Sequence, residues 1–600
     1  MNSKGSASMV MKRGNSQKPK DMKYTLKRLW DYMYKFKWLI ILAFILTISS
    51  NAFALIGPKL LGFAINAMQM ENVDGSKYVD FDAVFYYASL MAIFYVLSSI
   101  LSFILSRLMI YIGKRVVYKM REDAFNKLMA LPVSYFDTNL LGDIISKMSY
   151  DIDTINTSLS SDIIHIANSI ITVTVSFIMM LTISPLLVLV FVFTIPLSLL
   201  FTRLMLKKTK PLFRKRSSDL GMLNAYVEEM ITGANTIKAY SKEDKILDMF
   251  DEYNTISTES SYKAEYYGSI TGPGVNFINN LSLALISIFG AILNIYQGFK
   301  LGDLGSFVGY SRKFSGPINE IANIFVDIQT SLAAGERVFG LIDAKAEDPD
   351  KVDAIEVDAV GDVEFKDVYF GYRKEHTIIK DLSFTANSGK VVAIVGPTGA
   401  GKTTIVNLLM RFYDIDEGMI TLDNNDIYNI KRSSLRKNYA MVLQDTWLFE
   451  ASVYDNLSYG NDKATLDEVI KACKEVKIHD FIMHLPNGYD TILTEGGTNI
   501  SKGQKQLLTI ARAMLLDSKI LILDEATSNI DTRTEEIISE AVKKLMKGKT
   551  CFMIAHRLST IKNADLILVV KDGNIIEQGT HDILLNNNGF YSELYYSQFD

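Results

Sequence analysis

Two uncharged apolar runs dominate the first hundred residues, WLIILAFILTISSNAFALIG (38–57) and AVFYYASLMAIFYVLSSILSFILS (83–106). Each is long enough to cross about 30 Å of hydrocarbon as a helix. IIHIANSIITVTVSFIMMLTI (163–183) and LLVLVFVFTIPLSLLFT (186–202) follow, separated by Ser184 and Pro185, which predicts a helical hairpin with a tight turn. A fifth run is VNFINNLSLALISIFGAILNIYQGF, 275–299. The first 20 residues are polar and have no apolar core, so they read as neither a signal peptide nor a transit peptide.

The flanking charges give the orientation. Residues 1–37 hold ten Lys/Arg against Asp21 and Asp31, whereas the loop 66–82 holds Glu71, Asp74, Asp80 and Asp82 against Lys77. The N-terminus is therefore expected on the cytoplasmic side. GKRVVYKMRED (113–123) and KKTKPLFRKR (207–216) are basic again, as they must be after an even number of crossings. Five crossings would leave the C-terminal half outside, which parity forbids if that half works in the cytosol. A sixth is therefore expected within 304–330, although Arg312, Lys313, Glu320 and Asp327 interrupt it. Such a helix must face water or other helices, and is read as lining a pathway; a cytosolic amphipathic helix is the alternative. His165, on an apolar segment, is read as packing. The inner segments 107–162 and 203–274 have mixed charge and read as helical extensions into the cytoplasm. Their turns are expected near 137–139 and 233–235, placed to press on a soluble domain.

Composition narrows the classes further. The 600 residues are 48% hydrophobic with 11 prolines, which excludes general disorder, and the net charge of −4 argues against nucleic acid as a partner. Cys473 and Cys551 stand far apart with no His/Cys cluster, so neither a disulfide scaffold nor structural zinc is expected.

The C-terminal 260 or so residues alternate β-branched runs with amphipathic helices, the pattern of a soluble α/β domain. KVVAIVGPTGAGKTTIVNLLM contains a buried strand, then G-x-x-x-x-G-K-[ST] from Gly396 through Thr398, Gly399, Ala400, Gly401 and Lys402 to Thr403, then a helix from Thr404. Strand, loop and helix stand in the order a phosphate-binding loop requires: backbone N–H groups converge on phosphate, Lys402 reaches the β and γ oxygens, and Thr403 offers a hydroxyl to Mg²⁺. In KILILDEATSNID an apolar strand ends in Asp524, suited to hold Mg²⁺ through water, and Glu525, suited to polarise the attacking water. Taken alone, such a strand could also end in Asp-Glu at a surface turn.

Residues 361–600 resemble the nucleotide-binding domain of an ATP-binding-cassette (ABC) transporter, and the preceding spans resemble an exporter half-transporter. The resemblance implies a six-helix transmembrane bundle (38–330) after a cytosolic segment (1–37), a linker (331–360) and an α/β P-loop ATPase domain (361–600). The family signature Leu-Ser-Gly-Gly-Gln is here Ile500, Ser501, Lys502, Gly503, Gln504. By resemblance Ser501, Gly503 and Gln504 bind the γ-phosphate of ATP held by a partner domain, so that two domains close head to tail around two nucleotides. It also makes Tyr372 the adenine-stacking aromatic, Gln444 the Mg²⁺ and coupling glutamine, Asp531 the residue communicating across the dimer, and His556 the γ-phosphate sensor. Alone, Tyr372 reads equally as a surface aromatic, Gln444 as a capping residue and His556 as a satisfied polar side chain.

Lys502 departs from the family pattern, placing a long cation beside the γ-phosphate and removing glycine's backbone freedom. An intact base with an altered signature is one half of the profile common among heterodimeric exporters, so a heterodimer is favoured over a homodimer. The function expected is ATP-driven export of a small amphipathic, drug-like or lipid-like molecule, in a multi-pass protein of the cell membrane surrounded by its lipids. The alternatives are an ATP-gated or regulatory membrane protein, or a lipid flippase. Glu525 favours turnover over gating, and membrane-then-cassette order with long inner loops favours export over import.

Overall fold

The computed structural model of the chain describes residues 21–71, 77–373, 376–443, 447–497, 499–516, 518–524, 532–554 and 561–599. Contacts divide the chain into a helical unit, running to residue 130 and again through 140–345, and a cassette unit, 131–139 with 346–600.

The helical unit begins with α1 (Met22–Tyr34). Asp21 caps it, its carboxylate accepting from Tyr24 N at 2.9 Å, and Thr25, Leu29 and Met33, four apart, bury one face. Six long helices follow: α2 (Lys37–Ala67), α3 (Phe81–Met129), α5 (Leu141–Ile183), α6 (Pro185–Thr232), α7 (Glu243–Gln297) and α8 (Leu301–Ile342), with the short α4 (Val133–Thr138) between α3 and α5. Among the described residues, α2, α3, α5, α6 and α7 are long and apolar enough to cross a membrane. The 55 residues of α7 rise about 80 Å, far more than the hydrocarbon layer, so the surplus forms the expected extensions. Large apolar side chains such as Phe44, Phe103, Phe193 and Ile295 stay exposed on these helices, as lipid-facing positions do. Between α5 and α6, Ser184 Oγ accepts from Leu187 N at 3.4 Å and Pro185 takes the first helical position, which makes the predicted tight turn.

Hydropathy passes over α8, yet its 42 residues form one helix with Pro317 inside. It packs on α2 and α5. Near its start the backbones of α8 and α2 touch: a Cβ on Gly302 would sit 2.0 Å from the Gly62 carbonyl oxygen, so only glycine fits. Gly302 N donates to Asn66 Oδ1 at 2.8 Å, and Tyr310 Oη donates to the Leu55 carbonyl at 2.7 Å. These bonds fix the antiparallel register of the two helices.

In the cassette, β1 (Val363–Phe370), β2 (Ile379–Ala386) and β4 (Glu417–Leu422) form an antiparallel sheet with the short Asn425–Asp426 strand. The larger sheet takes β3 (Val391–Val395), β5 (Tyr439–Val442), β6 (Ile520–Asp524), β7 (Thr550–Ile554), β8 (Leu566–Lys571) and β9 (Asn574–Gly579) in the order β9-β8-β3-β7-β6-β5. Its central strands are parallel. Strand alternation sends Ala393, Leu521, Leu523, Cys551 and Met553 to one core and Val392, Ile394, Ile520, Ile522 and Phe552 to the other. Both cysteines are free and buried. The cassette unit also includes α4, where Asp137 accepts a hydrogen bond from Tyr413 Oη. The other expected turn carries the Gly233 cap of α6 and the short helix Ala234–Ala239.

Candidate nucleotide site

Strand register builds the site. Across the large sheet Ile554 of β7 stands opposite Ile394 of β3 on one side and Asp524 of β6 on the other, so β3 and β6 end at one edge. In parallel α/β sheets that carboxyl edge is where ligands bind. The phosphate loop leaves β3 there and turns into α9 (Lys402–Leu409). Gly396 has φ +153, and a Cβ on it would meet the Val570 carbonyl oxygen at 2.1 Å, so the loop must begin with glycine. Thr398 and Gly399 are exposed at the loop's crest, Ala400 is buried beneath it, and Gly401 caps α9. The positive end of the α9 dipole and its unpaired N–H groups meet any anion seated in the loop.

Lys402 Nζ donates to the carbonyls of Gly396 at 2.8 Å and Pro397 at 3.0 Å, folded over the loop. Burial holds its pKa below the ordinary lysine value, and the nearby Asp524 carboxylate opposes that shift. Lys402 and Asp524 therefore share one electrostatic environment, with the exposed Thr403 hydroxyl one residue further on. Hydroxyl plus carboxylate is a hard oxygen donor set suited to Mg²⁺. Among the described residues no group of three His, Cys, Asp or Glu gathers as a transition-metal site.

Tyr372 lies against the same helix. Its Oη donates to Thr404 Oγ1 at 3.3 Å and accepts from Asn407 Nδ2 at 3.2 Å, while 44% of the residue stays exposed. Sequence reasoning missed Tyr413, whose ring meets Tyr372 edge-on with centroids 4.8 Å apart. The aromatic in RFYDIDEG is its only sequence trace, and nothing local announces its partner.

Ser501, Gly503 and Gln504 open a second helix, α10 (Lys502–Met514). Ser501 Oγ accepts from Gln504 N at 3.3 Å and Gln504 Oε1 accepts from Ser501 N at 2.8 Å, a complete capping box. Gly503 is buried and Lys502 exposed. Lys502 occupies the first helical position with no positive φ, so no glycine freedom is required there; what the lysine changes is charge. Among the described residues, the hydrogen bonds of Ser501 and Gln504 run to each other and not to the phosphate loop. Gln444, Glu525, Asp531 and His556 lie outside the described residues.

Two family models match in tandem, "ABC transporter transmembrane region" over residues 40–318 and "ABC transporter" over 379–528. The Bacillus subtilis ABC transporter ATP-binding protein YfiC is 41% identical over 97% of this chain and 96% of its own length. This chain belongs to the ABC transporter family. A Mycobacterium bovis fatty acid ABC transporter ATP-binding/permease protein is 39% identical over 87% of this ABC transporter and 83% of its own length. The structure of a bacterial Atm1-family ABC exporter with ATP bound superposes with a TM-score of 0.74 at 29% identity, covering 94% of this chain and 98% of that one. The transporter is thus an exporter-type half-transporter, a helical membrane domain fused to an ABC ATPase, that couples ATP hydrolysis to transport.

Proposed function

We propose that this ABC transporter exports a small amphipathic molecule by alternating access, with ATP closing two cassettes head to tail and hydrolysis resetting them. The observation that carries the proposal is the division of the site over two helices: Lys402 and Asp524 share one sheet edge at the start of α9, while Ser501 and Gln504 bond each other in a capping box at the start of α10. A second cassette completes it. In each site the phosphate loop from Gly396 to Thr404 and Tyr372 hold ATP, and Ser501, Gly503 and Gln504 of the facing cassette meet the γ-phosphate. Thr403, Asp524 and Gln444 would hold Mg²⁺, which screens the phosphate charge when bound. Glu525 orients the attacking water, His556 senses the γ-phosphate, and Asp531 communicates across the dimer.

The partner is a second half-transporter, and an unlike one is favoured on the charge of Lys502. That cation stands at the positive end of α10, whose first turn holds no acidic residue. It strengthens the grip on an anion and slows its release, a profile suited to a holding site beside a competent one. The N-terminus and cassette face the cytoplasm of a cell membrane. A fatty acid transporter among the relatives supports the lipid-like branch of the cargo.

The test is ATP-dependent uptake of a fluorescent amphiphile into proteoliposomes with outward-facing cassettes. Uptake that is lost in Lys402→Ala supports export. ATP hydrolysis with no uptake of any amphiphile would favour the gating alternative.

A further inference from the structure

We propose that α1 is a docking site for acidic lipid: its outward face lies on the membrane surface where α2 enters, with Leu26 and Trp30 at the boundary of the acyl chains and Lys23 and Lys27 holding negatively charged headgroups. The inference is independent of the cargo. It takes from the proposed orientation only the name of the leaflet, the cytoplasmic one.

The packing of α1 places it at that surface. Lys35 and Phe36 alone separate it from α2, whose apolar run opens at Trp38. Gly302 of α8 bonds Asn66 near the end of α2, and α8 has 42 residues against 31, so its far end overshoots the start of α2 by about 16 Å. α1 packs on this overshoot. Thr25 lies against Gly335, where an added Cβ would come within 2.9 Å of its methyl, while Tyr24 and Arg28 bond Asp343 at 2.6 and 2.9 Å. Sequence neighbours Tyr24 and Thr25 thus meet α8 about 12 Å apart along its axis, which requires α1 to lie across α8. A helix lying across a membrane-crossing helix, within two residues of the apolar run, lies along the surface.

The two sides of α1 then face different ways. Tyr24 and Arg28 turn toward the end of α8 at Asp343, away from the hydrocarbon. Leu26 and Trp30 each stand two residues from Arg28, about 160° around the helix, and so turn back toward the hydrocarbon. Thr25, Leu29 and Met33 fill the packed face.

Leu26, Trp30, Tyr34 and Trp38 recur every four residues from α1 into α2 and are 50%, 51%, 53% and 73% exposed. The stripe continues into Ile41 and Ile45 of α2, exposed as lipid-facing side chains are. That continuity names lipid as what covers it. Lys23 and Lys27, both exposed, stand three residues before Leu26 and Trp30, and Lys37 Nζ lies over the rings of Tyr34 at 4.9 Å and Trp38 at 5.8 Å. Asp31 is the one acidic residue within α1. Lysines interleaved with Trp and Tyr beside an apolar stripe suit an interfacial helix that attracts acidic headgroups.

The test is quenching of Trp30 fluorescence in the full-length W38F/W447F variant, where Trp30 is the chain's remaining tryptophan. The variant is placed in phosphatidylcholine nanodiscs carrying lipid brominated near the top of the acyl chain, either as phosphatidylglycerol or as phosphatidylcholine. Both should quench Trp30, the phosphatidylglycerol at about threefold lower mole fraction, as exposed lysines near a charged surface allow. Added K23Q/K27Q should remove that threefold while quenching by brominated phosphatidylcholine stays unchanged. Added K23R/K27R, which guards against a folding defect, should keep it. Salt of about 1 M, where the screening length is about 3 Å, should abolish it. Absence of quenching by either lipid, the result if a partner half-transporter, the N-terminal segment or water covers this face, would overturn the proposal. Equal quenching by the two headgroups, or a preference that survives K23Q/K27Q, would overturn it as well.

Discussion

The Tyr413 hydroxyl donates a hydrogen bond to the Asp137 carboxylate, joining residues 276 positions apart in the chain. Tyr413 meets Tyr372 edge-on, and Tyr372 bonds Thr404 on the phosphate-loop helix. A continuous path of contacts therefore runs from α4, in the loop between α3 and α5, to the nucleotide site. Tyr413→Phe keeps the ring and removes the bond. Basal ATP hydrolysis is expected to stay within about twofold, while its stimulation by a transported amphiphile falls about three- to tenfold, the range of a coupling energy near 1 kcal/mol. Equal loss in both assays would make Tyr413 a merely structural residue.

The same bond has a pH signature. Burial first, and then the Asp137 carboxylate, push the Tyr413 phenol well above its ordinary value of 10.0. A raised folded-state pKa means the bond's stabilisation is fully present below pH 10 and is lost only on further alkalinisation. Stimulated hydrolysis should therefore show no inflection from Tyr413 between pH 6 and 9. An inflection in that interval that vanishes in Tyr413→Phe would contradict the assignment.

Cys473 and Cys551 are buried, and burial pushes their thiols up to about 11 and about 12. Both stay protonated at neutral pH, so the folded transporter should resist maleimide and label only on unfolding. A silent background permits a topology test in the unmodified chain. Cysteines placed at Ser76 and Ser217 should then label from opposite sides of the membrane, with Ser76 outside; labelling of both from one side would break the six-span account.

The capping box at α10 supports a prediction about the signature. Ser501→Ala should cost about 1 kcal/mol of local helix stability and, on the proposed role of Ser501 at the γ-phosphate, weaken hydrolysis. Lys502→Gly relieves no backbone strain, since Lys502 is already helical. In an unlike pair, with Lys502 in the slow site, it should leave steady-state hydrolysis within about twofold; in a pair of like chains it acts at both sites and should raise turnover severalfold. Full hydrolysis by a stable dimer of the purified single chain would defeat the unlike-partner reading.

The parts legible in the sequence are those whose physics is local. The five apolar helices declare themselves by run length, and the phosphate loop by its glycines between a strand and a helix. The sixth long helix is different. Arg312, Lys313, Glu320 and Asp327 lower its hydropathy, so only the parity of crossings called for it, while the structure shows a helix running from Leu301 to Ile342. The α1 helix lay hidden in a basic segment read only for its charge, although Leu26, Leu29, Trp30 and Met33 recur at helical spacing. The Tyr413–Asp137 bond was not legible at all, because it depends on tertiary approach across most of the chain. In the opposite direction, sequence reasoning overstated the backbone cost of Lys502: a glycine in a family pattern need not occupy a conformation that only glycine can adopt.

The central claim is that this transporter hydrolyses ATP in a composite site whose chemistry depends on Glu525. The most direct test is steady-state ATP hydrolysis of the purified assembled transporter and its Glu525→Gln variant, with bound nucleotide counted in the same samples. Loss of the oriented base should lower turnover about a hundredfold or more while nucleotide occupancy stays unchanged. Lys402→Ala should instead lower occupancy itself. Near-normal hydrolysis by Glu525→Gln, or full nucleotide occupancy in Lys402→Ala, would contradict the account.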